Sequence, residues 1–363
     1  MRYKVLLMVL VLVALMTKSC SKDPVPGKDD TYQPVPVTLD RTTAYPPFLL
    51  PAGNPLTEEG ILLGRMLFYD PIMSKDSSIS CASCHKQEFA FTDGAKTSKG
   101  IRGQILSRNS MPLYNLMWNK RFFWDGRATS LREQVLIPIQ AHNEMDMNLY
   151  DLVQILKASP RYAPLFKKAF GDEGIKPATI SKALEQFLVS MVSFNAPIDQ
   201  LKFRTDTLNV ISASALRGLK LFLQPIEQGG ADCFHCHSNL PFYGNTSFSG
   251  SLANNGLDEV FSDKGLGSVS GLESDNGKFK IPSLRNVEVS APYMHDGRFD
   301  NLEEVMDFYG SGIKLNSPNL DINILSHNAQ LNLSAQQKAD IIEFLKTLTD
   351  QSFLTNPKFK SPF

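Results

Sequence analysis

Apolar residues recur along most of this chain at helical spacing, and no stretch alternates well enough to predict a strand. Residues 58–69 read as an amphipathic helix with Thr57 as its N-cap, and 213–223 as another behind Ser212. Between them, 149–158 and 180–194 carry apolar positions at roughly helical spacing, the pattern of helices that pack a core. Further helices are expected over 302–309 and 334–347, the latter capped by Ser334. The Gly-, Asn- and Ser-rich stretch 244–277 reads as a long loop. At the amino terminus Arg2 and Lys4 precede an apolar run of twelve residues, 5–16. That run fits a secretory signal and is too short to cross a bilayer as a mature helix.

Composition narrows the picture. At 363 residues the chain can bury two cores of ordinary size. Its 37 Lys and Arg balance 37 Asp and Glu, so no overall field points to nucleic acid. Of five cysteines, four fall in Cys81-Ala-Ser-Cys84-His85 and Cys233-Phe-His-Cys236-His237, which leaves none for a structural disulfide or zinc site. The fifth, Cys20, ends Leu15-Met16-Thr17-Lys18-Ser19-Cys20, which resembles a bacterial lipoprotein box; Lys18 departs from the usual small apolar pattern, and ordinary signal cleavage is the alternative. The expectation is a signal peptide over 1–19 and a lipid anchor at Cys20 on the periplasmic side of a bacterial membrane. A disordered Pro-, Asp-, Lys- and Thr-rich tether follows over 20–44.

Each Cys-x-x-Cys-His pentapeptide has the spacing for covalent c-type haem, two thiols adding across the vinyl groups and the adjacent imidazole becoming an axial iron ligand. The surroundings of the two copies repeat. Gly64-Arg-Met-Leu67-Phe68 leads to the first and Gly218-Leu-Lys-Leu221-Phe222 to the second. Downstream, Trp124-Asp125-Gly126-Arg127 with Leu131-Arg-Glu133 returns as His295-Asp296-Gly297-Arg298 with Leu302-Glu-Glu304, at an offset of 296 minus 125, or 171. The fold class is therefore mainly α: two tandem cytochrome c-like helical domains, each with one covalent haem. Their expected spans are 45–205 and 206–350, with 351–363 as a tail.

The repeat also separates the two irons. Tyr309 ends a helix in the second domain and can ligate iron; 171 residues earlier stands Pro138, which offers no donor. Chemistry at the His85 haem and electron storage or relay at the His237 haem follow from that asymmetry. Near the vacancy, Glu144 is placed to move a proton between peroxide oxygens, Gln134 to face the same pocket, and Trp124 to bridge the haems. Read from the residues alone, the same three also fit a solvated acid, a capping amide and a core aromatic. His142 reads as a surface loop histidine rather than a distal ligand. His235 points away from iron, and His327 has no evident partner.

The combined pattern resembles the bacterial dihaem cytochrome c peroxidases and their relative MauG, over roughly residues 50 to 350. It is carried by both pentapeptides and by Phe123-Trp-Asp-Gly-Arg-Ala128. Pro138-Ile-Gln-Ala-His-Asn-Glu144-Met145 and the stretch from Leu284-Arg-Asn through Ala291-Pro-Tyr-Met-His-Asp-Gly297 carry it further. The resemblance implies that Trp124 is the inter-haem tryptophan, Gln134 the distal-pocket glutamine, Pro138 the proline over the peroxide-binding iron, and Glu144 the acid that assists cleavage. It also implies a calcium ion between the domains, held by the Asn109 side chain and the Ser290 and Pro292 carbonyls. In relatives that need reductive activation, a histidine on the loop after the first pentapeptide blocks the site. Residues 86–108 contain no histidine, so the first haem is expected to be open, with Met111 or Met117 as the substitutes to consider. Peroxidases of the family usually carry methionine where Tyr309 stands; tyrosine there resembles MauG, and Met306, one turn earlier, is the competing ligand.

The leading expectation is a dihaem c-type peroxidase that reduces hydrogen peroxide to water with electrons from a small cytochrome or quinol. The runner-up is a MauG-like enzyme that oxidises a partner protein through a high-valent iron state. A non-catalytic electron-transfer cytochrome is the alternative of another class. The resemblance suggests a homodimer, though no self-complementary face is visible in the sequence.

Overall fold

A computed structural model describes residues 32–39, 50–201, 210–237, 252–325 and 331–363. The longer helices are α1 (Glu58–Tyr69), α2 (Leu131–Gln140), α3 (Leu149–Ala158), α4 (Tyr162–Phe170), α5 (Pro177–Ser190), α6 (Ala213–Leu223), α7 (Leu302–Asp307), α8 (Ala335–Lys346) and α9 (Gln351–Thr355). Among the described residues the strands are β1 (Leu252–Ala253) and β2 (Phe279–Lys280), paired antiparallel with Leu252 opposite Lys280.

α1 starts where predicted because the Thr57 hydroxyl accepts the Gly60 N–H at 3.0 Å, and Glu58 and Glu59 favour the positive helix end. Its apolar side buries Leu63, Leu67 and Phe68 against α5. A Cβ on Gly64 would run into the Ala183 carbonyl, so the two backbones meet at that glycine. α6 repeats the arrangement. Ser212 caps it by accepting from Ala215 N, and a Cβ on Gly218 would strike the Asp340 carbonyl of α8. Both leader glycines thus mark helix crossings, which is why the repeat retains them.

The 171-residue offset persists in backbone detail. Asn115 and Asn286 are both left-handed (φ 53° and 55°), and each precedes a single 3-10 turn, Leu116–Trp118 or Val287–Val289. Antiparallel bridges join Phe122 to Ala128 and Tyr293 to Phe299, around Gly126 (φ 68°) and Gly297 (φ 63°).

Two main apolar cores result, with a smaller cluster of Leu257, Phe308, Ile313 and Leu320 beside them. The first gathers α1 to α5, the second α6, α7, α8 and Ala196 to Leu201. The changeover falls between Met191 and Ala196, ahead of the expected boundary at 205, because Ile198 N–H bonds the Thr347 carbonyl at 3.2 Å at the end of α8.

Three expectations need correction, and one helix is additional to those expected. The helix expected over 180–194 ends at Ser190: Ser193 N–H donates to Asn115 Oδ1 at 2.9 Å and its hydroxyl to Asp350 at 2.9 Å, pulling the chain out of the helix. The additional helix is α4, which accommodates Pro164 because the proline lies in the first turn, where the N–H has no helical partner. The tail 351–363 is part of the first core: Phe353 and Phe359 are buried there, Gln87 Nε2 donates to the Phe353 and Asn356 carbonyls at 2.9 Å each, and Tyr69 Oη to the Phe359 carbonyl at 2.6 Å. The described part of the tether, 32–39, pairs with the start of α1 through Val37 N–H to the Leu56 carbonyl and Glu58 N–H to the Val35 carbonyl, both 2.9 Å. Val37 and Leu39 pack on the core there, an alternation that the surrounding prolines and charges mask. The rest of the tether, Cys20 and His327 lie outside the described residues.

Candidate functional site

The first pentapeptide forms a helical turn, Cys81–Cys84, opened by Ser80 N–H donating to Ser83 Oγ at 3.0 Å. His85 follows. Its Nδ1 lies 2.6 Å from the Phe91 carbonyl; a carbonyl only accepts, so the proton sits on Nδ1 and the Nε2 lone pair is left for iron. The carbonyl reaches back because Ala90 and Phe91 are left-handed (φ 54° and 62°) and Phe91 N–H bonds the Lys86 carbonyl at 2.8 Å. Burial holds the imidazole below its usual range and pushes the Cys81 thiol up to about 12, so this pair is no activated thiolate.

Cys81, Cys84 and His85 line a cavity of about 510 Å³ together with Gln134, Pro138 and Glu144. Gln134 and Pro138 stand four apart on α2 and share a face. Glu144 sits on the loop after α2, which is pinned by Ile101 N–H to the Glu144 carbonyl at 3.0 Å and Glu144 N–H to the Ala141 carbonyl at 2.9 Å. Its carboxylate has no hydrogen-bond partner among the described residues; burial raises its pKa, opposed by the Arg127 charge.

The second pentapeptide ends in the turn Phe234–His237. His237 Nδ1 donates to the Pro282 carbonyl at 3.2 Å, again freeing Nε2, and burial lowers its pKa to about 4. His235 turns aside to Asp232, 2.6 Å away. Cys233, Cys236 and His237 line a cavity of about 250 Å³ that also takes in Tyr309 and Met306. Tyr309 lies two residues past the end of α7, on a π-helical turn, Phe308–Gly312, a geometry common at functional sites. Its hydroxyl accepts from Asn255 Nδ2 at 3.4 Å, and burial pushes its pKa up to about 12. Nothing in the sequence marked Asn255, which falls in the stretch read as loop; its neighbour Asn254 fixes it by bonding Ser317 Oγ and the Pro318 carbonyl.

Trp124 lines both cavities. Its indole N–H donates to the Asn109 carbonyl at 2.9 Å, and Asn109 N–H bonds the His295 carbonyl of the other domain at 2.8 Å. Beside it, Arg108 makes a forked pair with Asp263 at 2.7 and 2.9 Å and reaches Asp125 at 2.6 Å, locking the domains together. Asn109 donates its amide to the Ala95 and Lys96 carbonyls, which aims its side-chain oxygen elsewhere. Asn109, Ser290 and Pro292 all line the second cavity.

Of the remaining candidates, His142 and Met117 stand away from the first cavity. His142 is 80 % exposed and bonds Asp146 at 2.9 Å. Met111 lines the first cavity, whereas Met117 packs on the first core.

At each site two thiols and an imidazole with a free Nε2 face a largely apolar cavity, the donor set covalent haem requires. Comparison with known proteins agrees. The profile of the di-haem cytochrome c peroxidase family matches residues 58–207. The methylamine utilization protein MauG of Methylorubrum extorquens is 37% identical over 311 residues, covering 82% of this chain and 80% of that protein. Cytochrome c551 peroxidase of Nitrosomonas europaea is 33% identical over 304 residues, covering 83% and 81%. A solved MauG-like protein associated with microbial copper homeostasis has a TM-score of 0.79 at 33% identity, covering 90% of this chain and 99% of its own. With two haem-binding pentapeptides in two matching helical domains, the chain belongs to the dihaem cytochrome c peroxidase and MauG family.

Proposed function

We propose that the chain reduces hydrogen peroxide to water in the His85 cavity, with electrons entering from an external donor, a small cytochrome or quinol, at the His237 side. The observation that carries this is the difference between the cavities. One is lined by Pro138, Gln134 and a half-buried Glu144 whose carboxylate has no hydrogen-bond partner among the described residues, the other by Tyr309 and Met306. When bound, the haems supply the two electrons that the O–O bond accepts as it breaks. Glu144 takes the proton from one peroxide oxygen and delivers it to the departing oxygen, which leaves as water. The other oxygen takes up two protons from solvent and leaves as the second water, and two electrons from the external donor restore the starting state. The Gln134 amide orients the peroxide, and the α2 face holds bulk water off the carboxylate. Trp124, on the wall of both cavities, is the contact through which the two sites communicate. Both cavities belong to one chain.

Glu144→Gln is expected to slow peroxide consumption roughly 100-fold or more while both haems stay attached. Unchanged turnover would remove Glu144 from the mechanism. The oxidised protein should show a high-spin ferric component, whereas two fully low-spin haems would favour a plain electron carrier.

A second reading has a specific observation in its favour. Tyr309, with Asn255 donating to its oxygen, would hold the second haem through an oxygen donor; once the iron had displaced the phenol proton, that donor would lower the potential and disfavour a mild cytochrome donor. In that reading the oxidising equivalents are drawn from residues of a partner protein. Turnover with reduced cytochrome or quinol separates the two.

The proposal extends to calcium at the domain boundary, held by Asn109 Oδ1 and the Ser290 and Pro292 carbonyls and completed by water, a hard-oxygen set that suits this ion. It also places the protein on the periplasmic side, lipid-anchored at Cys20. No helix among the described residues is long and apolar enough to cross a membrane. Cys20→Ser should move the protein from the membrane fraction to the soluble one; retention in the membrane would exclude the anchor.

A further inference from the structure

β2 brings Lys280 to the boundary between the two sites. Its backbone N–H donates to the Trp124 carbonyl at 2.7 Å, which fixes the residue beside the tryptophan. The neighbouring Phe279 ring stacks on His295 at 3.7 Å and lies under the Arg108 guanidinium at 5.7 Å, so the strand has little freedom to shift. The Lys280 side chain is only 6 % exposed and, like Trp124, lines both cavities.

Its ammonium has no hydrogen bond or ion pair among the described residues. The acids nearby are already engaged: Asp125 holds Arg108 and Arg127, and Asp263 holds Arg108 through both oxygens. Burial alone acts on the group, bringing its pKa down to about 8, with no carboxylate opposing. A buried ammonium with three donors and no acceptor is costly, and a structure retains one where something outside the chain supplies the anion. What the cavities take in supplies it. Each haem carries two propionate carboxylates at the edge remote from its thioether-forming vinyl groups, and these also must be neutralised when buried.

We propose that the Lys280 ammonium is the counter-ion of haem propionate at the shared wall of the two cavities, and that this single charge sets the potentials of both haems. A positive charge close to a haem favours its reduced form, which carries one fewer positive charge. Shared between the two, it raises both potentials together. Lys280 is then a positioning residue that acts on the cofactors and touches no peroxide. The proposal requires two haems but not any particular reaction, so it stands or falls separately from the role of Glu144.

The test is a spectroelectrochemical titration of the full haem-loaded protein and of K280M, K280Q and K280R, with haem content measured first. K280M and K280Q are expected to lower the potentials of both haems, and K280R to restore both. Should K280M fail to load haem, K280Q, which keeps a polar side chain, carries the comparison. Potentials unchanged in the neutral variants, a shift confined to one haem, or failure of arginine to restore them would each overturn the proposal.

Discussion

Burial holds the Glu144 carboxyl protonated to a higher pH than an exposed glutamate, and the Arg127 charge pulls the other way. A base that accepts the peroxide proton must be ionised, so activity should fall as pH drops through this raised value. Arg127→Leu removes the opposing charge and is expected to move the acid limb of kcat/KM to higher pH; coincident limbs would refute the coupling. The stability consequence has the opposite sense. The folded state binds this proton more tightly than the unfolded one, so the contribution of Glu144 is full below its unfolded pKa and lost as pH rises through the folded one. Glu144→Gln should therefore be more stable to denaturant than the native protein at neutral pH and above. Tyr309 lines the second haem site. Tyr309→Met is expected to raise that haem's potential, and an unmoved potential would transfer the ligand role to Met306, which lines the same cavity. The sequence named both residues but not Asn255, because that hydrogen bond joins segments 54 positions apart.

At the level of elements, caps and apolar spacing decided most of what was legible. α1, α3, α6 and α8 begin and end within a residue of expectation, since Thr57, Asn148, Ser212 and Ser334 each supply the oxygen their first turn lacks. The end of α5 was not legible, because it is set by Asn115 and Asp350 from distant parts of the chain. The helix crossings give a test in which two effects compete. Gly64→Ala gains about 1 kcal/mol of helix propensity. It also forces a methyl into the Ala183 carbonyl, and overpacking of this kind costs about 1–3 kcal/mol. The clash involves backbone that cannot rotate away, so net destabilisation of the first domain is expected in denaturant titrations. A gain in stability would mean that α1 and α5 part easily. On α2, Pro138→His would place an imidazole where the repeat puts Tyr309. The first haem should turn low-spin and peroxide turnover should stop; a persisting high-spin signal would show that position 138 does not overlie the iron.

Across the whole molecule the carboxy-terminal segment closes the first core from the far end of the chain. Phe353 is 1 % exposed and packs edge-on to Phe91, the residue whose carbonyl orients His85. Phe353→Ala is expected to cost about 3–5 kcal/mol. The loss should appear at the His85 haem before the His237 haem when each is followed during unfolding; simultaneous loss would mean that the domain interface transmits the damage fully. What the sequence alone determined is the chemistry written in short spacing: haem attachment, proximal histidines, helix starts and the 171-residue duplication that sets Pro138 against Tyr309. Each of these depends on residues within a few positions or on comparison of like with like. Only the tertiary structure decided that Trp124 and Lys280, separated by 280 minus 124, or 156 positions, share the wall of both cavities, and that Arg108 meets Asp263 across the domains. Such contacts arise where loops close and cores pack, and single-sequence periodicity carries no record of which distant segments come to rest together.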